Sequence, residues 1–401
     1  MRLLLPLAAA AAFAFSFSTW VLYSSEKGDL EPPNPGRQQT ASAVFDIDGD
    51  GVNDFVIAER TQTPAVVWYQ RHAGGWRRHV LEAEKLAIEA GATFGDVDGD
   101  GDLDFIAAGD HSNNGVWWWE NPRPSGDVTK PWTRRAIKSS GASKHHDLLF
   151  VDADGDGRNE LVFWNQGAQT LFLARPPADP RTAGEWPRVP IYTYSRDSEM
   201  PHRGQPPKWR GVNEHEGLAF EDIDLDGRKD LIGGGRWFRH LGGGRFQENL
   251  VDASFPFSRC AAAQFIEGGR PEIVLSLGDG LGPLVLYEWR SGAWHPRTVL
   301  DGIDNGHSLS AGDFNFDGHM DLFLAEMRLN GGNPESKLLL LFGDGKGNVR
   351  QERIAEGFDN HESKIADLDG DGTFDILGKP YNHGVPALHV WLNPAGPKPA
   401  K

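Results

Sequence analysis

One cysteine in 401 residues, Cys260, leaves no partner for an internal disulfide. Basic charge is also short: 40 Lys and Arg against 57 Asp and Glu give a net charge of −17. That balance argues against nucleic acid as a partner. No Gly-x-Ser-x-Gly, Walker loop, cysteine-based zinc pattern or His-Glu-x-x-His occurs, so the commonest hydrolase, nucleotide and metalloprotease signatures are missing. Long apolar runs are confined to Leu3 through Leu22, behind Met1-Arg2. Residues 1–24 read as a secretion signal, or as an N-terminal membrane anchor if uncleaved. Either reading predicts a secreted or periplasmic chain that meets a membrane only through that segment. Residues 25–38, with Pro32, Pro33, Pro35 and Gly36, read as a linker.

What the chain does have is acid in a fixed pattern. Asp46, Asp48 and Asp50 alternate, Gly51 follows, and Asp54 closes a nine-residue loop between apolar runs. The pattern returns at Asp96-Asp98-Asp100-Asp104, Asp152-Asp154-Asp156-Glu160 and Asp222-Asp224-Asp226-Asp230. It appears twice more, at Asp313-Asn315-Asp317-Asp321 and Asp367-Asp369-Asp371-Asp375. Carboxylates at 1, 3, 5 and 9 around a turn-making glycine supply the several oxygens that Ca²⁺ takes. Six bound Ca²⁺ would reduce the net charge to −5. An EF-hand would need a bidentate Glu at position 12, where these loops have Ile57, Ala107, Phe163, Gly233, Leu324 and Gly378. Plain Asp/Gly turns without metal are the other reading, although turn chemistry alone does not demand four acids at those positions.

Successive loops begin 50, 56, 70, 91 and 54 residues apart, and the 91 hides one more copy. Residues 263–274 align with 151–162, but Gln264, Ile266 and Gly268 replace the first three acids and only Glu272 remains, at position 9. That repeat is predicted to keep its strands without a cation. Each of the seven repeats reads as four strands, at 42–45, 55–58, 65–69 and 76–81 in the first. Four-stranded units near a 50-residue period predict an all-β fold, a seven-bladed β-propeller over 39–395 with calcium loops in six blades. The seventh repeat ends after its third strand, near Pro394. Its fourth strand must therefore come from the N-terminal segment or be missing.

These loops resemble the FG-GAP and VCBS repeats of calcium-binding propellers such as integrin α-subunit heads. The resemblance covers about 39–394 and implies that each loop joins the innermost strand to the second on the lower face. Residues five to seven positions ahead of a loop then begin the innermost strand at the upper mouth of the channel. His146, His215, His307 and His361 fall in that window, with His145 beside the first. A histidine cluster there can hold a divalent metal and move protons. The bland reading is an inter-blade hydrogen-bonding staple, for which Gly306-His307 is a candidate.

Second strands are predicted to end on the same face, offering Arg236, Trp237, Lys379, Tyr381 and Asn382 to a polar, hydroxylated ligand such as a carbohydrate. Residues 175–210, ending at Arg210, form the longest insertion, either a lid or an idle loop. Asn213-Glu214-His215-Glu216-Gly217, Lys144-His145-His146-Asp147 and Trp117-Trp118-Trp119-Glu120-Asn121-Pro122 are similar to the propeller of aldos-2-ulose dehydratases. That resemblance, with the reaction type shared by ulvan lyases, implies β-elimination from a keto-sugar or uronate. A metal on the histidines would polarise a carbonyl, a free histidine would take the proton, Arg236 or Arg210 would orient the substrate, and Tyr381 would act as the acid. The alternative is a non-catalytic propeller that binds a glycan or a protein.

Overall fold

The computed structural model describes residues 20–195, 214–255, 257–381, 387–394 and 396. They form seven four-stranded antiparallel sheets around an axis, with one 3₁₀ turn at Leu329–Gly331. The seven-bladed expectation holds.

In the first blade the strands are Gln39–Phe45, Asp54–Glu59, Val66–His72 and Gly75–Glu82, paired in chain order. The innermost strand runs down to the acidic loop and the second runs back up. Facing blades bury each other's strands, so second and third strands are apolar on both sides, as in Phe55–Ala58 and Val66–Tyr69. Trp68 and Trp119 fill one wedge, and Trp118 fills the next with Phe163. Burying side chains of this size contributes about 1.5–3 kcal/mol each.

The seventh blade takes Lys364–Ala366, Asp375–Gly378 and His389–Leu392 from the C-terminal end. Its outermost strand is Val21–Ser24, with Val21 opposite Leu392 and Ser24 opposite His389. Four residues read as the end of the N-terminal segment therefore close the ring. The stretch read as a linker is also packed down. Leu30 is buried with Phe55, Leu377 and Leu388, and Asn34 bonds to Pro64 and Gly36.

The carboxylate at position 9 accepts two backbone N–H groups in every blade, in one of two patterns. Asp54 accepts from the backbone of Ile47 and Arg71, and Asp104 from Val97 and Asn121. Asp230, Asp321 and Asp375 repeat this bond pair. Glu160 and Glu272 each accept from two consecutive loop N–H groups. A buried acceptor shared by two backbone donors is costly to lose. Glu272 is such an acceptor in the fifth blade, where positions 1, 3 and 5 of the loop carry no acid.

The insertion is described as far as residue 195 and includes the outermost strand of its blade, Arg188–Thr193. Its first part, after Thr170–Ala174, crosses the lower face, where Arg175 meets Asp154 and Arg181 bridges Asp98, Asp100 and Glu120. Residues 196–213 lie outside the described residues, and Arg210 with them.

Candidate ligand site at the channel mouth

Counting back from each loop, residues at the sixth position before it are Thr40, Ala90, His146, Glu216, Ser258, His307 and His361. Neighbouring residues of a regular strand point to opposite sides, so register, together with any bulge and the length of the side chain, decides which groups reach the axis. This layer faces it. His146, Glu216 and His307 each offer one ligand atom, and the three atoms lie within 4.8 Å of one another. Glu216 Oε2 is 3.7 Å from His146 Nε2 and 4.0 Å from His307 Nε2. His361 stacks on His307 at 4.2 Å, and Tyr381 stacks on His361 at 4.6 Å.

These groups floor a cavity of about 320 Å³ whose walls include Arg60, Glu89, Lys144, Glu214 and Asp279. Its charged walls are paired. Arg60 reaches Glu89 and donates to the Tyr381 hydroxyl. Lys144 Nζ donates to both oxygens of Glu214 at 2.6 Å.

One register further on are Ala41, Gly91, Asp147, Gly217, Arg259, Ser308 and Glu362. Arg259 crosses the axis from the fifth blade. Its Nη1 lies 2.6 Å from Asp147 Oδ1 and its Nη2 2.5 Å from Glu362 Oε1. This buried triad floors the cup and forms part of a second cavity of about 330 Å³ beyond it, which also contains Thr93, Ser310 and Lys364.

Burial sets the protonation of the cup, and neighbours modify it. Burial works against charge on His146, but Glu216 and Asp147 outweigh it and raise its pKa to about 9. Burial holds His307 well below the ordinary histidine range, assisted by Arg259 and His146. Burial likewise depresses His361, with His307 and Lys379 adding to the effect. Charge is thus favoured on His146 and disfavoured on His307 and His361.

His146, His307, His361 and Tyr381 are therefore brought together as expected, and other candidates are not. His215 sits one register off, buried by a 3.9 Å stack on Tyr194 and by Trp164. Glu216 takes the place expected for it. Arg236 and Trp237 belong to a third strand, Arg236–His240, because Gly234 and Gly235 (φ 57° and 72°) have already turned the chain. Arg236 bonds to Glu248 and Gly234. Trp237 is buried with Ile273 and Tyr287, and its indole donates to Asp230. Lys379 is fully buried beneath His361 and donates to the carbonyls of Gln39 and His361. Asn382 lies outside the described residues. Glu216, Arg259 and Glu89 are absent from the expected set. Counting every residue in the histidine register, not only the histidines, would have found Glu216.

On the lower face, oxygens of Asp46, Asp48 and Asp50 lie within 4.8 Å of one another, as do those of Asp96, Asp98 and Asp104. Asp152, Asp154 and Glu160 make a third such group and Asp222, Asp224 and Asp230 a fourth. Asp313 and Asp367 begin loops of the same turn geometry, each accepting from the glycine N–H five residues on. Asp156, Asp317 and Asp371 accept from the backbone two residues on, and Asn315 donates to Asp317. Asp100 and Asp226 do the same for Asp102 and Arg228.

The FG-GAP-like repeat model matches residues 46–107, 96–163 and 269–324. The chain is thus a seven-bladed β-propeller that carries FG-GAP-like repeats in these three places. No curated protein matches it. Among solved structures it is similar to BBS1N in complex with ARL6DN, soaked with lead, at 11% identity and a TM-score of 0.56. The alignment covers 96% of this chain and 100% of that one. The mercury-soaked form of that complex aligns over the same shares at 10% identity and a TM-score of 0.57. At such identities the FG-GAP-like propeller shares a fold with these proteins and nothing finer.

Proposed function

We propose that this FG-GAP-like propeller is a binding module that engages a protein partner over its upper mouth. The observation that carries this reading is the pre-paired polar cup: Arg60 with Glu89, Lys144 with Glu214, and Tyr381 with Arg60. Groups already locked to one another present a rigid surface with little ordering left to lose on binding. The similar BBS1N fold crystallised with a protein, ARL6DN, which fits such a role. A photo-crosslinking residue at exposed His111, on the rim, should trap the partner, whereas one at Arg350 on a blade edge should not. Equal trapping from both positions would sink the reading. Capture of a glycan instead would move the proposal to the carbohydrate class.

The acidic loops fit Ca²⁺, because each gathers several carboxylate oxygens and no softer donor. We propose calcium in the six blades that keep the loop, five with four acids and one with Asn315 in place of the second, as a structural cation. It is available to an exported chain, as the N-terminal segment suggests.

A second reading is favoured by the cluster of His146, Glu216 and His307. Two imidazoles and a carboxylate suit a borderline divalent metal better than calcium, and the buried Nδ1 of His307 has no hydrogen-bond partner. Such a metal would act as a Lewis acid on a carbonyl, which is the chemistry of β-elimination from a keto-sugar or uronate. Neutral His361 would be the base and Tyr381 the acid, with Arg60 in the orienting place expected for Arg236. Metal analysis after calcium chelation, followed by ultraviolet detection of a conjugated product, tests it. Protein that retains no metal besides calcium would remove this reading.

A further inference from the structure

Asp147 stands at the junction of the cup and the plug beneath it. A regular strand would point His146 and Asp147 to opposite sides. The strand His145–Val151 instead shifts register between His146 and Leu148, and Asp147 adopts φ 45°. That bulge turns both side chains toward the axis. His146 Nδ1 donates to Asp147 Oδ2 at 2.6 Å. The same oxygen accepts from the Gly217 N–H at 2.7 Å, and Oδ1 meets Arg259 at 2.6 Å. The Asp147 N–H donates to Ala90 O. The next blade must also come close: a Cβ on Gly91 would lie 2.3 Å from the Asp147 Cα. Asp147 is thus held from four sides, and its bond to Nδ1 leaves Nε2 as the nitrogen of His146 directed at Glu216.

We infer that Asp147 is a positioning residue that fixes the His146 ring for a divalent metal held with Glu216 and His307. The inference rests on the metal reading of this cluster. A ligating histidine gains basicity and a fixed orientation when its other nitrogen bonds a carboxylate, and loss of that carboxylate typically costs ~10–100-fold in metal affinity. Glu362 provides the comparison. It pairs with the same Arg259 and with Lys364 but does not touch His146.

The test is a Co²⁺ titration of the full chain in excess calcium, read by the visible absorption of nitrogen-ligated cobalt. Asp147→Asn should bind Co²⁺ about 10–100-fold more weakly than the parent, whereas Glu362→Gln should match the parent. Asp147→Glu keeps a charge for Arg259 but displaces the carboxylate, and should also weaken cobalt; it stands in if Asp147→Asn does not fold. Parent-like affinity in both Asp147 variants overturns the inference and leaves the metal reading standing. An equal fall in Asp147→Asn and Glu362→Gln overturns it too, because the triad would then act only as a structural tie. A parent that gives no cobalt band removes the metal reading itself, and the inference with it.

Discussion

Replacing Arg259 by methionine should be among the most damaging single changes available in this ring. Among the described residues, the Arg259 guanidinium is the cation that bridges Asp147 and Glu362, at 2.6 and 2.5 Å. With an effective dielectric near 20, each contact represents ~6 kcal/mol of attraction before desolvation. Much of that is cancelled by burying three charges, so the intact triad adds little net stability. Breaking it is different, because two carboxylates are left buried; such truncations cost ~3–5 kcal/mol. Asp147 keeps His146 and Gly217, and Glu362 keeps Lys364, which places the expectation at about 3 kcal/mol at neutral pH.

The pH dependence follows from the same charges. In the parent, burial opposes the charge of Glu362, but Arg259 and Lys364 hold its carboxyl down at about 2. Arg259 and His146 likewise outweigh burial at Asp147 and hold it well below the usual range. Those depressed groups stabilise the fold above the ordinary carboxylate range, near ~4, and the contribution is lost as pH falls through the folded values. Without Arg259, burial is less opposed and both pKa values rise. The penalty is then present above ~4 and disappears on protonation. The deficit of Arg259→Met should therefore be largest near pH 7–8 and shrink toward pH 5. Urea unfolding at pH 5 and pH 8 measures it. Adding Asp147→Asn and Glu362→Gln to Arg259→Met should recover most of the loss. A loss below about 1 kcal/mol at pH 8, or a triple variant less stable than the single, would refute the reasoning.

Two further outcomes concern the lower face. Chelating calcium should lower the melting temperature strongly, since each site filled at a hundred times its Kd contributes ~2.7 kcal/mol; an unchanged melting temperature rules out structural calcium. The fifth blade should bind no cation in a calcium-soaked crystal, because Gln264, Ile266 and Gly268 replace three acids. Glu272 in that blade is raised to about 7 by burial, against the pull of the Ile266 and Phe265 N–H groups. Its folded pKa exceeds its unfolded one, so its favourable contribution is full below the unfolded value and lost as pH rises through about 7. Glu272→Gln should then be more stable than the parent at pH 8, by about 1 kcal/mol, and lose that advantage at pH 5. Equal differences at both pH values in denaturant titrations would contradict this.

The repeat is legible in the sequence because its determinants are local. A turn that uses Asp46 Oδ2 to hold the Gly51 N–H needs that acid and that glycine five residues apart, wherever the blade stands. Glu272 marked the fifth blade for the same reason. The alternation of apolar residues within strands, and the missing fourth strand of the seventh repeat, were likewise local facts. They sufficed for seven blades and for a lower face lined with acid.

The upper face was legible only in part. The histidine window was right to within one residue, and at His215 that one residue puts the ring in the blade interior against Tyr194 and Trp164. His146, His307 and His361 fall on the inward register, whereas His215 does not, and Glu216 faces the channel in its stead. Arg236 failed for a related reason: two glycines with positive φ end the second strand early, and the arginine rides on the next one.

Sequence alone therefore determined the blade count, the acidic loops, the acid-poor fifth loop and the general place of the histidines, since each is written in residues within a dozen positions of one another. Tertiary structure decided which partner closes the ring, that Arg259 meets acids from two other blades, and which carboxylate joins His146 and His307. Those pairings join residues up to several blades apart, and they exist only when seven separate sheets are set around a common axis.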